Sequence, residues 1–199
     1  MTVSMSYFDS LYATSADPWD YRHRWYEARK RDLTLASLPH RRYARGYEPG
    51  CSTGELSRRL AERCDQLLVS DGNASAVATA SARLVDQRHV EIRQLLLPEE
   101  WPSGSFDLIV ISEIGYYLGE RGLAALLDHA HSALLPGGVL LACHWRHPIE
   151  GCALTGDEVH QRLGALPGLH RLSQLEEADF LLTLWSSDPT SVARREQLL

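Results

Sequence analysis

The segment Glu48-Pro49-Gly50-Cys51-Ser52-Thr53-Gly54 sets a carboxylate just ahead of two glycines. Gly50 and Gly54 permit a tight turn and let backbone N–H groups come close to a ligand at the start of a helix. The spacing is G-x-x-x-G rather than the dinucleotide pattern G-x-G-x-x-G. A pyrophosphate wants only amides and positive charge, whereas a ligand carrying an ammonium group gains from an acid such as Glu48. Asp71 closes the next apolar run, Leu67-Leu68-Val69-Ser70, and an acid there can accept hydrogen bonds from the two hydroxyls of a ribose. Asp71-Gly72-Asn73 equally reads as a turn that needs no ligand. Further on, Leu95, Leu96 and Leu97 offer an apolar slot for a flat ring such as adenine. Ser112-Glu113 and the pair Tyr116-Tyr117 would stand at a pocket mouth, or serve as a surface turn with core aromatics. His144 has the side chain of a general base, although a lone histidine is as often structural. His144 and His147 share an H-x-x-H spacing, but no third ligand accompanies them, so no metal is expected.

These residues fall at the ends of predicted elements. Tyr43 to Glu48, Gln66 to Ser70, His89 to Leu97, Phe106 to Ser112 and Val139 to Trp145 read as strands, with helical patterns between most of them. Ser52 and Glu55 fit a capping box, followed by a stripe of Leu56, Leu60 and Cys64. Asn73 is placed to cap the next helix, whose apolar face would be Val77, Ala80, Leu84 and Val85. Leu123, Leu126, Leu127, Ala130 and Leu134 mark a helix that stops at Pro136-Gly137-Gly138. A first helix is expected from about Tyr21, and a late one near Asp157 to Leu163. Leu169 to Leu175 and Phe180 to Trp185 then lack an intervening helix and should pair as a hairpin. The expected fold is α/β, Rossmann-like, with one mostly parallel seven-stranded sheet and a C-terminal antiparallel hairpin. Ligands of such sheets bind beyond the carboxyl ends of the strands, where the strand order reverses.

A chain of 199 residues suits a single domain. We expect a lid segment over 1–42, a ligand-binding core over 43–145 and a C-terminal helix and hairpin over 146–199. The net charge of −6 argues against a nucleic-acid partner, which would demand a basic surface. No apolar run is long enough to cross a membrane, and the start lacks a basic-then-apolar leader. Cys51, Cys64, Cys143 and Cys152 show no C-x-x-C spacing, so a reduced, cytoplasmic protein is the expectation, as monomer or homodimer. Of 20 basic residues only Lys30 is lysine.

Taken together, the glycine loop from Glu48 to Gly54, Asp71 and Phe106-Asp107-Leu108-Ile109-Val110 resemble the motifs of class I S-adenosylmethionine-dependent methyltransferases. Asp17-Pro18-Trp19, Tyr26-Glu27, Ser112-Glu113 and Tyr116-Tyr117-Leu118 resemble the nodulation protein S group of N-methyltransferases. The resemblance implies S-adenosyl-L-methionine as cofactor and S-adenosyl-L-homocysteine as product. By it, Glu48 and Gly50 would hold the methionine part, Asp71 the ribose, and the residues around Leu96 and Leu97 the adenine, with Cys51, Gly54 and Gly72 also in contact with the cofactor. Trp19, Tyr26 and Arg29 would fold over the cofactor as a lid, with Ser112 and Glu113 also among the cofactor-binding residues. Two departures stand out: Leu96 takes the place of an acid that meets the adenine amino group in many relatives, and Ser52 replaces a loop glycine.

The same resemblance implies an amine acceptor of glucosamine type, on a deacetylated chitooligosaccharide or a related amino sugar. Positive charge moves from sulfur to the acceptor during transfer, so Glu113, Tyr116 and Tyr117 would stabilise it, with His144 as a candidate base. Small-molecule O-methylation and cofactor binding without catalysis remain as alternatives. Tyr26 and Lys30 also form the Tyr-x-x-x-Lys pair of short-chain dehydrogenases, but ahead of the first strand, where it could not face a nicotinamide.

Overall fold

The computed structural model describes residues 3–199. Seven strands form one sheet: β1 (Tyr43–Pro49), β2 (Cys64–Asp71), β3 (Val90–Gln94), β4 (Phe106–Ser112), β5 (Leu134–Trp145), β6 (His170–Glu176) and β7 (Phe180–Ser186). Their spatial order is β3-β2-β1-β4-β5-β7-β6. The first five run parallel, and β7 inserts antiparallel between β5 and β6. Helices α1 (Met5–Thr14), α2 (Trp25–Ser37), α3 (Glu55–Ala61), α4 (Ala74–Arg83), α5 (Gly119–Ala133), α6 (Gly156–Leu163) and the short α7 (Val192–Arg195) complete the chain.

Strand β4 shows why the sheet sits at the centre. Its apolar run splits by side-chain alternation, Leu108 and Val110 facing one core, Ile109 and Ile111 the other. The first core carries Leu35, Leu60 and Ala80 from α2, α3 and α4; the second carries Leu123, Leu126, Leu127 and Ala130 from α5 and Val159 from α6. On α5 these residues recur at i, i+3, i+4 and i+7, so one stripe is buried, each leucine contributing about 1.5–3 kcal/mol. Strand order reverses between β1 and β4, which opens a crevice at their carboxyl ends.

Four local expectations are corrected. Ser52 and Glu55 form no capping box: α3 begins at Glu55, and Gly54 precedes it in the left-handed region, with φ 76°. The Ser52 N–H is taken by Asp71 and Glu55 pairs with Arg83, so neither is free to cap. A capping box occurs instead at α6, between Thr155 and Glu158. Cys64 opens β2 rather than continuing α3, and Val85 lies beyond α4, exposed. β3 ends at Gln94, so Leu96 and Leu97 belong to the loop after it. Asn73 does cap α4, its side chain accepting the Ser75 and Ala76 N–H groups.

Candidate active site

A crevice of about 440 Å³ runs over the carboxyl ends of β1, β2 and β4 and is roofed by α1 and α2. Its floor begins at the β1–α3 loop. Gly50 has φ 73°, and a side chain there would sit 2.2 Å from Ile114, so only glycine fits. Glu48, at the end of β1, is buried, with Oε2 lacking a hydrogen-bond partner among the described residues. Burial pushes its carboxyl up to about 8; the Ser57 hydroxyl nearby opposes that rise and Asp71 adds to it. A buried orphan acceptor in a crevice wall is costly unless a donor arrives, and a cationic donor suits it best.

Asp71 stands at the end of β2 and accepts the Ser52 N–H through Oδ2 and the Asn73 N–H through Oδ1, both at 2.9 Å. These bonds aim the carboxylate and leave each oxygen further acceptor capacity. Burial raises its pKa, and the backbone N–H groups of Asn73, Ser52 and Gly72 oppose that rise. Gly72, Leu96 and Leu97 wall the same end. Helix α1 closes over it: the Tyr12 hydroxyl pairs with Ser52 Oγ at 2.6 Å, and Asn73 Nδ2 donates to Asp9 at 2.8 Å.

At the other end, Glu113 follows β4 with φ 59°, a left-handed conformation unusual for a residue with a side chain. Its Oε1 accepts the Lys30 ammonium at 2.6 Å, and its Oε2 accepts both the Tyr116 hydroxyl and the Trp145 N–H, the latter at 2.9 Å. Lys30 also touches Glu27 at 3.1 Å. Burial alone would lower the lysine pKa, but Glu113 and Glu27 outweigh it and hold Lys30 charged. Rings of Phe8, Tyr12, Trp19, Tyr21 and Tyr117 line the remaining wall.

The crevice thus gathers Trp19, Glu48, Gly50, Cys51, Asp71, Gly72, Leu96, Leu97, Ser112 and Glu113. Five other expected residues lie outside it. Gly54 turns the loop into α3 and packs on Ala80. Tyr26 packs edge-on against Trp145 and Phe180, and Arg29 makes a two-pronged pair with Glu177 at 2.6 and 2.8 Å. The face that α2 turns to the crevice is instead Glu27, Lys30, Arg31 and Thr34, at i, i+3, i+4 and i+7. Tyr116 is buried behind Glu113, and Tyr117 lines the crevice in its stead. His144 is fully buried; Nε2 accepts the Gly115 N–H at 3.2 Å and Nδ1 meets His160 Nε2 at 3.1 Å. With both nitrogens engaged, and its pKa pushed by burial down to about 3, it is no general base. The sequence alone did not reveal α1 or the pairing of Glu27 with Lys30; the signals it held were Glu27 within the Tyr26-Glu27 motif and Lys30, the lone lysine.

The strand order, the glycine turn after β1 and the acid ending β2 define a class I methyltransferase fold. A sequence profile of the family described as methyltransferase domain matches residues 47–140. A crystal structure from Pseudomonas syringae, of a protein provisionally described as a methyltransferase, is 51% identical, with a TM-score of 0.74 over 82% of this chain and 99% of that one. The chain belongs to the S-adenosylmethionine-dependent methyltransferase family, and over part of its length it is similar to nodulation protein S. Nodulation protein S of Rhizobium tropici is 29% identical over 63% of this chain and 53% of its own length. The structure of the N-methyltransferase NodS from Bradyrhizobium japonicum, in complex with S-adenosyl-L-homocysteine, shares the fold at TM-score 0.79 and 24% identity, over 89% of this chain and 96% of that one. Trans-aconitate 2-methyltransferase of Deinococcus radiodurans is 36% identical over 61% of this chain and 46% of its own. The chain spans about half the length of the curated relatives it matches.

Proposed function

We propose that this protein transfers a methyl group from S-adenosyl-L-methionine to the nitrogen of a small-molecule amine, an amino sugar of glucosamine type being the acceptor class we favour. The observation that carries the reading is the unpartnered Glu48 Oε2, buried in the same crevice as Asp71. Glu48 suits the α-ammonium of the methionine part, Asp71 the ribose hydroxyls, and Leu96 and Leu97 the adenine face. Gly50, Cys51, Gly72 and Ser112 complete the cofactor's surroundings, and Trp19 covers them. When bound, the cofactor supplies an electrophilic methyl group.

The protein's part is chiefly placement. The crevice walls exclude water and hold the acceptor nitrogen in line, which can account for much of the rate. Glu113 carries negative charge, and the rings of Tyr12, Trp19, Tyr21 and Tyr117 present π faces, where the acceptor becomes cationic. Such a lining favours a product ammonium over a carboxylate ester, so N-methylation is preferred to O-methylation. The amino-sugar acceptor draws on the likeness to nodulation protein S. No helix among the described residues is long and apolar enough to cross a membrane, and Cys51, Cys64, Cys143 and Cys152 are unpaired, in keeping with a cytoplasmic enzyme.

Calorimetry with S-adenosyl-L-homocysteine, followed by methyl transfer to glucosamine, chitosan oligomers and trans-aconitate, tests the reading. We expect cofactor binding, and methylation of the amines. Binding unaltered in Glu48→Gln, or methyl transfer to the tricarboxylate alone, defeats it.

A further inference from the structure

Six carboxylates line the crevice, and an ammonium acceptor must surrender a proton to something before its nitrogen can attack. Glu48 and Asp71 are the acids assigned above to the cofactor, at its ammonium and its ribose. Glu55 is paired with Arg83, and Glu99 is exposed at the rim. Glu113 is the obvious remaining choice by position, yet its oxygens already accept from Lys30, Tyr116 and the Trp145 N–H. A proton placed on Glu113 would have to displace one of these buried donors, an expensive exchange. Glu27 differs. Its two oxygens each lie 3.1 Å from the Lys30 ammonium and have no other hydrogen-bond partner among the described residues, while the residue faces the crevice from α2.

We infer that Glu27 is the proton acceptor for the incoming amine and that Glu113 is a positioning residue, holding Lys30 against Glu27. This rests on the N-methyltransferase reading above. The acceptor's R–NH3⁺ gives one proton to the Glu27 carboxylate, leaving R–NH2 and a neutral carboxylic acid. The nitrogen lone pair then forms the new N–C bond while the S–C bond breaks, its electron pair remaining on sulfur. The product R–NH2⁺–CH3 departs and the Glu27 proton passes to solvent, which restores the starting state.

The electrostatic setting fits that duty. Burial raises the Glu27 pKa, Lys30 and Arg31 on the same helix lower it, and Glu113 across the crevice raises it again. Tyr21, from the turn before α2, Tyr26 beside it, and Cys143 on β5 are the other titratable groups that sense its charge. All three are driven upward by burial and stay neutral, so Lys30, Arg31 and Glu113 set the local field.

The test compares wild type, Glu27→Gln, Glu27→Asp and Glu113→Gln, with glucosamine and chitosan oligomers as acceptors across a pH series. Affinity for S-adenosyl-L-homocysteine is measured on each by calorimetry. We expect Glu27→Gln to lose about a hundredfold to ten-thousandfold in kcat/KM near neutrality. That deficit should close as pH passes the acceptor's own pKa, because the amine then arrives without its proton, and cofactor affinity should stay within about twofold. Glu27→Asp should recover part of the rate. Glu113→Gln should lower the rate by an amount that does not close with pH. A Glu27→Gln deficit that is flat with pH, or that tracks a loss of cofactor affinity, overturns the inference alone. Wild type that binds the cofactor but methylates no amine overturns both this inference and the function on which it rests.

Discussion

Backbone N–H groups of Ser52 and Asn73 aim the Asp71 carboxylate, so its removal strips the crevice of the acceptor we assign to the ribose hydroxyls. Asp71→Ala should weaken S-adenosyl-L-homocysteine binding by about 1–3 kcal/mol in calorimetry, the scale for a lost charged hydrogen bond. Glu48 makes a different prediction. Its raised pKa means that the free protein holds a proton there below about 8, and a bound ammonium wants the carboxylate. Cofactor affinity should therefore fall by about tenfold per pH unit as pH drops below that point, and Glu48→Gln should flatten the profile. Glu48, Gly50 and Asp71 were legible because strand ends and glycine turns fix their positions from sequence alone. Glu27 was not, since its role depends on which way α2 is rotated. Tyr26 and Arg29, its neighbours in sequence, looked as plausible, and the tertiary partners that settle the rotation, Trp145 and Glu177, lie far along the chain. His144 was misread because nothing local reveals that its nitrogens are both occupied.

Among the elements, the roof helix α1 is held to the loops after β1 and β2 by few polar ties among the described residues, Tyr12 to Ser52 and Asp9 to Asn73. Most of the helix is exposed, with Tyr12 its buried member. Tyr12→Phe removes one of those ties and keeps the ring. Stopped-flow release of S-adenosyl-L-homocysteine should then quicken by about two- to tenfold, the worth of one ordinary hydrogen bond. The core strands were readable from their apolar runs, and the late hairpin from the missing helix between them. Helix α1 was not, because Met5 to Thr14 has no strong apolar periodicity and its partners are the ligand loops. The capping box at Ser52 failed for a related reason: a pattern that normally serves a helix was requisitioned by Asp71 and Tyr12.

At the level of the whole molecule, His144, His160 and Thr183 link β5, α6 and β7 through a buried chain, His160 Nδ1 meeting Thr183 Oγ1 at 3.0 Å. Burial pushes both imidazoles down to about 3, whereas they titrate near 6.5 when unfolded. The unfolded chain thus binds protons that the folded one refuses, and stability present above about 6.5 is lost as pH falls towards 3. Denaturant unfolding should show that slope, and the double variant His144→Gln, His160→Gln should reduce it. Leu123→Ala, in the fully buried stripe of α5, should cost about 2–5 kcal/mol in the same assay at neutral pH. The solitary Lys30 has a further use. Feeding the cells lysine labelled with nitrogen-15 at the ε position would install one nitrogen reporter per molecule, already seated between Glu27 and Glu113. Its single NMR resonance would register arrivals and departures in the crevice without any engineered tag, and amine-reactive reagents would find that side chain shielded.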